Sequence, residues 1–332
     1  MKRVVLDIET DDINATVIHC IAAQDLDTGV VDTWYGEDIK NFSAWTETVD
    51  VFIMHNGVSF DAPVVNRLTG SKIPLSKVRD TLIMSQLYDP SLEGGHSLAA
   101  WGERLGMSKI DFNDFSGFSQ EMLTYCIRDV EVTSKLYNYL IPHLKKYSGK
   151  SIQLEHQVRA IVDKQEANGF TLNIPEASCL VARLSEEAAE IEEEMQNIFP
   201  PIITERYSEK TGNRLKDKVE VFNPASRQQI GKRLMSKGWE PKTFTPTGQP
   251  IVDEGTLKDV DIPEAKKIAQ YLLLQKRVSQ VKSWLDVVED DGKVHGRVIT
   301  LKAISGRMAH NSPNMAQIPA VYSPYGKECR QV

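Results

Sequence analysis

Asp7 and Glu9 stand two residues apart in the stretch VVLDIETDD, inside what otherwise reads as a buried strand. Alternation along a strand puts both side chains on one face. Charged carboxylates left unpaired there are costly, so a proton, a cation or a metal must neutralise them. Tyr125 and Asp129 lie four apart in a segment of helical periodicity and also share a face. Asp61 follows a strand end in HNGVSFDAP, five residues after Asn56. Oxygen donors drawn from strand, loop and helix suit hard divalent cations such as Mg2+ or Mn2+. Such a set supports in-line phosphodiester cleavage, with two ions about 3.5 to 4 Å apart clamping the attacking and leaving oxygens. Tyr125 would orient the attacking water by a hydrogen bond, without ionising. Taken singly, each residue has a plainer reading: a strand end facing surface lysines, a helix cap at Asp61, a core aromatic, a solvated acid. Only the ordered set points to chemistry.

The elements that must position these residues alternate between strand and helix over the first 150 residues, which predicts an α/β layer structure. Strands are expected at 3–8, 17–24 and 30–35, then at VFIMHN. Helices are expected at FSAWTETV, FDAPVVNRL and SLAAWGERLG, with a strand running into a helix in VRDTLIMSQL. A long helix starts at the cap Ser119 and carries Tyr125 and Asp129. From about residue 151 the texture changes to long amphipathic helices, one beginning at Pro175 and one at PEAKKIAQYLLLQKRVSQVKSWL, similar enough in length to pair antiparallel. Residues 200–262 are rich in Pro, Gly and Lys and read as a tip with one small helix. GKVHGRVITLKA, after residue 290, reads as a hairpin.

The chain of 332 residues carries a net charge of −7, unevenly spread: residues 201–332 hold 22 Lys and Arg against 15 Asp and Glu. Contact with a polyanion is therefore expected toward the C-terminal part. The four cysteines are scattered, with no zinc-like spacing, and read as free thiols. The opening apolar run meets Asp7 too soon for a signal peptide or a membrane span, so the chain is expected in the cytoplasm.

Asp7-Ile8-Glu9, then Asn56 to Asp61 as NxxxFD, then Tyr125 to Asp129 as YxxxD, resemble the three motifs of the DEDD-type 3′-to-5′ exonucleases in their tyrosine form. The resemblance implies a ribonuclease-H-like fold, two Mg2+ or Mn2+ ions, and removal of one nucleotide at a time from a 3′ end. By that likeness Asp7 bridges the ions, Glu9 and Asp129 complete the first, Asp61 serves the second, Tyr125 joins the catalytic set, and Asn56 contacts DNA. Asp80 in RDTL and His96 in GGHSLAAWGERLG match further family features without a catalytic assignment.

The remainder, through EHQVRAIVDKQEANGFTLN, FNPASRQQIGKRL, LLLQKRVSQVKSWL and SGRMAHNSPNMAQIP, is similar to the thumb and early palm of family A polymerases, most closely those of podovirus-type phages. This implies an exonuclease domain at 1–150, a thumb at 151–290 with its tip at about 200–262, and the start of a palm at 291–332. It also implies contact with a single-stranded 3′ end and with primer-template duplex, inside an infected bacterial host. Lys276 and Arg277 are expected at phosphates, with Arg307 and Arg330 as further contacts. Asn314 and Gln317 either bond DNA or hold their own loop.

Two departures stand beside this likeness. The polymerase's catalytic aspartates are absent, so nucleotide addition is expected to need a second polypeptide or a missing C-terminal part. The thumb also lacks a large basic insertion, which argues against thioredoxin binding. The competing readings are a stand-alone exonuclease acting on RNA or DNA, and a non-catalytic assembly subunit of a polymerase.

Overall fold

The computed structural model describes residues 1–332. The elements run β1 (Arg3–Thr10), β2 (Ile18–Asp25), β3 (Val31–Tyr35), α1 (Phe42–Thr46), β4 (Val51–Met54), α2 (Asp61–Thr69), β5 (Val78–Asp80), α3 (Thr81–Tyr88), α4 (Leu98–Arg104), α5 (Gln120–His143) and α6 (Gly149–Asn168). There follow β6 (Phe170–Thr171), α7 (Ile174–Ile198), β7 (Ile202–Tyr207), β8 (Arg214–Glu220), α8 (Arg227–Ser236), α9 (Glu254–Lys258), α10 (Pro263–Leu285), β9 (Lys293–Val294), β10 (Arg297–Ile299), β11 (Ala309–Asn311) and α11 (Gly326–Gln331). The chain divides into two compact units, Met1–Asn168 with Gly296–Asn311, and Gly169–His295 with Ser312–Val332.

In the first unit a five-stranded sheet has the order β3-β2-β1-β4-β5. β1 and β2 pair antiparallel, as do β2 and β3, whereas β4 runs parallel to β1 and to β5. Both faces of β1 are buried, which is why RVVLDIET reads as a nearly continuous apolar run rather than a strict alternation. Val4, Leu6 and Ile8 enter one core with Phe42, Phe52 and Val65. Val5 enters the other, with Ile53, Met84, Trp101 and the α5 residues Met122, Cys126 and Val130. Asp7 and Glu9 follow Val5 on the α5 side, opposite Ala22 and Cys20 of β2. Ser119 caps α5, its Oγ accepting from the Met122 amide at 3.0 Å.

The turn before α2 is shaped by its sequence, HNGVSFD. Asn56 adopts φ of +66°, a left-handed conformation that asparagine tolerates better than most residues. A Cβ on Gly57 would lie 2.2 Å from Met54 Cβ, so no larger residue fits there. The buried Asp80 carboxylate accepts from the Asn56 and Val58 amides, each at 3.0 Å, and from Leu82 N at 2.9 Å as the cap of α3. His96 is likewise structural: its Nδ1 is 2.7 Å from Ser85 Oγ, which accepts from the Trp101 indole at 2.7 Å.

In the second unit α7 and α10 pack through Leu180, Leu184 and Ala188 against Tyr271, Leu274, Val278 and Val281. Their direction is antiparallel, as expected. Glu194 pairs with Lys267, and Glu192 accepts from the Tyr271 hydroxyl at 3.3 Å, so positions fall along one helix as they rise along the other. Met195 and Phe199 continue the core with Ile230, Leu234 and Ile268.

Two local expectations fail. Residues 292–303 form no hairpin: β9 pairs with β6 in the second unit, while β10 pairs with β11 in the first. The strand signal was correct, but each strand finds a more distant partner, and sequence periodicity says nothing about partner choice. Residues 200–262 hold more than one small helix, since β7 and β8 form an antiparallel ribbon there and α9 follows α8. That ribbon exposes Ile203 and Val219 and is not buried on either face, so it shows no alternation to read.

Candidate active site

Four carboxylates and a tyrosine named from sequence spacing come together in the first unit. Asp7 and Glu9 project from β1, Asp61 opens α2, and Tyr125 and Asp129 sit one turn apart on α5. Glu9, Asp61 and Asp129 are buried, while Asp7 keeps partial contact with solvent. Asp61 is not the helix cap, its plainer reading. It is the first helical residue, and Phe60 occupies the cap with no side-chain bond.

The electrostatics report how close the acids are. Burial drives the Asp7 carboxyl well above its usual range, and repulsion from Asp61, Glu9 and Asp129 adds to this. Burial raises Glu9 to about 8, with Asp129 and Asp61 pushing the same way against Lys109. Burial also raises Asp61 to about 8, assisted by Asp80 and Asp129 and opposed by backbone N–H groups at Asp61 and Ile8. Asp129 is raised by burial and held back by Lys109 and Tyr125. Such a cluster stores repulsion that a cation relieves. Asp129 Oδ1 is buried without a hydrogen-bond partner. An all-oxygen donor set with one orphaned acceptor fits a hard divalent ion.

Cys126 also lies here, with ligand atoms of Asp7, Glu9 and Cys126 all within 4.8 Å of one another. Its Sγ is 3.5 Å from the Asp7 carbonyl oxygen and 3.8 Å from Asp7 Oδ2. Burial raises the thiol well above its ordinary value, so it stays protonated and acts as a donor to Asp7 rather than as a thiolate ligand.

Sequence reasoning missed Lys109, in the loop before α5. Its ammonium lies 2.5 Å from Asp129 Oδ2 and donates to the Tyr125 hydroxyl at 2.8 Å. Burial would lower this lysine, but Asp129 and Tyr125 outweigh that and raise it, so it stays charged. A lone lysine in GMSKIDF carries no spacing signal; it reaches the site only because the loop folds back on α4. There the Met107 amide bonds Gly102 O at 2.8 Å, and a Cβ on Gly102 would meet Met107 O at 2.7 Å.

The expected DNA contacts are not all available. Asn56 is exposed beside Asp61 and opens onto a cleft of about 490 Å³ also lined by Phe60, Arg159 and Arg297. Lys276 is exposed on α10. Arg277 is not: it is 7% exposed, and its Nε donates to Pro324 O at 3.3 Å. This corrects the expectation of a phosphate contact, because neighbours on a helix point about 100° apart and Arg277 falls on the packed face with Leu274 and Val278. Arg330 is exposed, but its Nε donates to Pro319 O at 2.7 Å. Arg307 is exposed, with Nε donating to Ser305 Oγ at 3.0 Å. Asn314 holds its own loop, accepting from the Ala316 amide at 3.1 Å, and Gln317 is exposed with its carbonyl accepting from Gln280.

Residues 186–332 match the model of DNA polymerase family A. The chain is similar to phage and bacterial DNA polymerases. The DNA-directed DNA polymerases of Enterobacteria phage T3 and Escherichia phage T7 are each 27% identical to it, over 98% of this chain and 64% of each phage protein. The chain thus spans under two thirds of the length of those relatives. The alignments extend over 450 and 454 positions, so the phage proteins also carry inserted residues that this chain lacks. DNA polymerase I of Rhizobium leguminosarum is 25% identical over 76% of this chain and 25% of its own length. The solved POL domain of Pol1 from M. smegmatis, in complex with DNA primer-template and dNTP, shares the fold with a TM-score of 0.74, at 16% identity over 98% of this chain and 54% of that one. No helix is long and apolar enough to cross a membrane.

Proposed function

We propose that the first unit is a metal-dependent 3′-to-5′ exonuclease of the ribonuclease-H-like DEDD type, and that the second is the DNA-gripping thumb with the start of a palm. Together they form the proofreading part of a family A phage DNA polymerase. The observation that carries this reading is the convergence of Asp7, Glu9, Asp61 and Asp129 from one strand and two helices, with Asp129 Oδ1 buried and unpartnered. The five-stranded mixed sheet under α5 supports the fold assignment.

In this reading the four carboxylates would hold two divalent ions, Mg2+ or Mn2+. When bound, the ions supply electrostatic stabilisation of the attacking and leaving oxygens of a phosphodiester. The chain does the rest. β1 fixes Asp7 and Glu9 on one face. The Asp80 clamp on Asn56 and Val58 fixes the turn that delivers Asp61. Tyr125, whose phenol is kept protonated by burial, hydrogen-bonds the attacking water. Exposed Lys276 and Arg307 neutralise backbone phosphates without reading sequence.

The test is hydrolysis of 3′-labelled single-stranded DNA and RNA with Mg2+ or Mn2+, with and without chelator, beside Asp7→Ala/Glu9→Ala. Stepwise shortening of DNA that chelator and the double variant both abolish is expected. Equal activity in the variant would remove this site from consideration, and a preference for RNA would favour the stand-alone exonuclease.

A further inference from the structure

Lys109 makes two contacts whose chemistry is more specific than charge balance. Its Nζ is 2.5 Å from Asp129 Oδ2 and 2.8 Å from the Tyr125 hydroxyl oxygen, and lies 4.7 Å from the centre of the Tyr125 ring. An ammonium has three N–H donors and no acceptor. Toward Lys109 the Tyr125 oxygen therefore accepts, and the single phenolic proton is directed away from the lysine, with the Asp129 carboxylate as an acceptor in reach. The Asp129 carboxylate is divided in the same way: Oδ2 is taken by Lys109, and Oδ1 is left buried without a partner.

We propose that Lys109 is a positioning residue of this site, one that makes the Tyr125 hydroxyl a hydrogen-bond donor rather than an acceptor and reserves one oxygen of Asp129 for the carboxylate cluster. The role rests on the nuclease reading given above. A tyrosine without the lysine is free to present either its lone pairs or its proton; with the lysine it presents its proton. That suits a phosphate oxygen or the lone pair of an incoming water, both of which accept. The ring is held as well, tilted against Phe112 at 5.5 Å and edge-on to Phe115 at 6.3 Å, so the hydroxyl has little freedom to turn away.

The experiment separates this role from simple charge compensation. Hydrolysis of single-stranded DNA with Mg2+ is measured for the wild type, Lys109→Met, Lys109→Arg, Tyr125→Phe and the Lys109→Met/Tyr125→Phe double variant. Loss of a charge-assisted hydrogen bond predicts that Lys109→Met lowers kcat by about tenfold or more, with KM changed by no more than about twofold. Because the lysine acts through the tyrosine, the double variant should fall no more than about twofold below Tyr125→Phe. Lys109→Arg, which keeps the donors and the charge, should retain more of the rate than Lys109→Met. A second readout needs neither metal nor substrate. The 13Cζ resonance of Tyr125 in the chelator-treated protein, assigned by its absence in Tyr125→Phe, should move in Lys109→Met while thermal unfolding shows both proteins folded. Multiplicative losses in the double variant, or an unmoved resonance in folded Lys109→Met, would overturn the proposal and leave the nuclease reading standing. A wild type with no hydrolysis dependent on Asp7 and Glu9 would overturn both.

Discussion

Glu9→Gln should stabilise the first unit when divalent ions are withheld, and the gain should depend on pH in a defined window. Burial and the neighbouring acids raise the Glu9 carboxyl from 4.5 to about 8. A carboxyl whose pKa is higher in the folded than in the unfolded state contributes stability that is fully present below about pH 4.5 and is lost as pH rises through about 8. At pH 7 the unfolded chain has released this proton and the fold has not. Over the interval from pH 4.5 to pH 7, about 2.5 pH units, this amounts to about 3 kcal/mol of lost stability. Glutamine keeps the shape of the protonated acid and cannot ionise. The variant should therefore match the wild type near pH 4, exceed it by about 3 kcal/mol at pH 7, and exceed it further at pH 8.5. The assay is urea unfolding with chelator, followed by hydrogen exchange of the α5 amides so that the transition reports on this unit alone. Adding Mg2+ or Mn2+ should reverse the order, because the wild type gains binding energy at the cluster that the variant has lost. A gain that is the same at pH 4 and pH 8.5, or a Glu9→Gln protein less stable than the wild type at pH 8.5 in chelator, would refute the reasoning.

Asp80→Ala removes the acceptor of the Asn56, Val58 and Leu82 amides and should cost about 3 kcal/mol in urea unfolding, with nuclease activity falling because Asp61 loses its turn; a cost below about 0.5 kcal/mol would show that the clamp is idle. On α10 the two adjacent basic residues should behave oppositely. Lys276→Ala should leave unfolding within about 0.5 kcal/mol of the wild type while lowering the salt slope of DNA binding by about 1. Arg277→Ala should cost about 2 kcal/mol of stability by emptying a packed position and freeing Pro324 O. Equal effects of the two changes on DNA binding, with equal stability, would contradict the burial of Arg277.

The placing of Asp7 and Glu9 on one face, and of Tyr125 and Asp129 one turn apart, was legible in the sequence because both follow from backbone periods of two and 3.6 residues. The Ser119 cap and the antiparallel pairing of α7 and α10 were legible too, because a cap and the length of a helix are short-range features. What needed tertiary structure was everything that depends on a partner distant in sequence. Lys109 finds Asp129 and Tyr125 only through a folded-back loop. Asp80 reaches across the sheet end to hold the turn before Asp61. Arg277 is buried, and its neighbour Lys276 exposed, by the packing of one helix. β9 and β10, contiguous and alike in pattern, pair into different units. Local periodicity orients a side chain relative to its own element, whereas packing of the whole chain decides what that side chain meets. The acids are ordered along the sequence, but the mutual repulsion that makes them a cation site exists only once the fold brings them together.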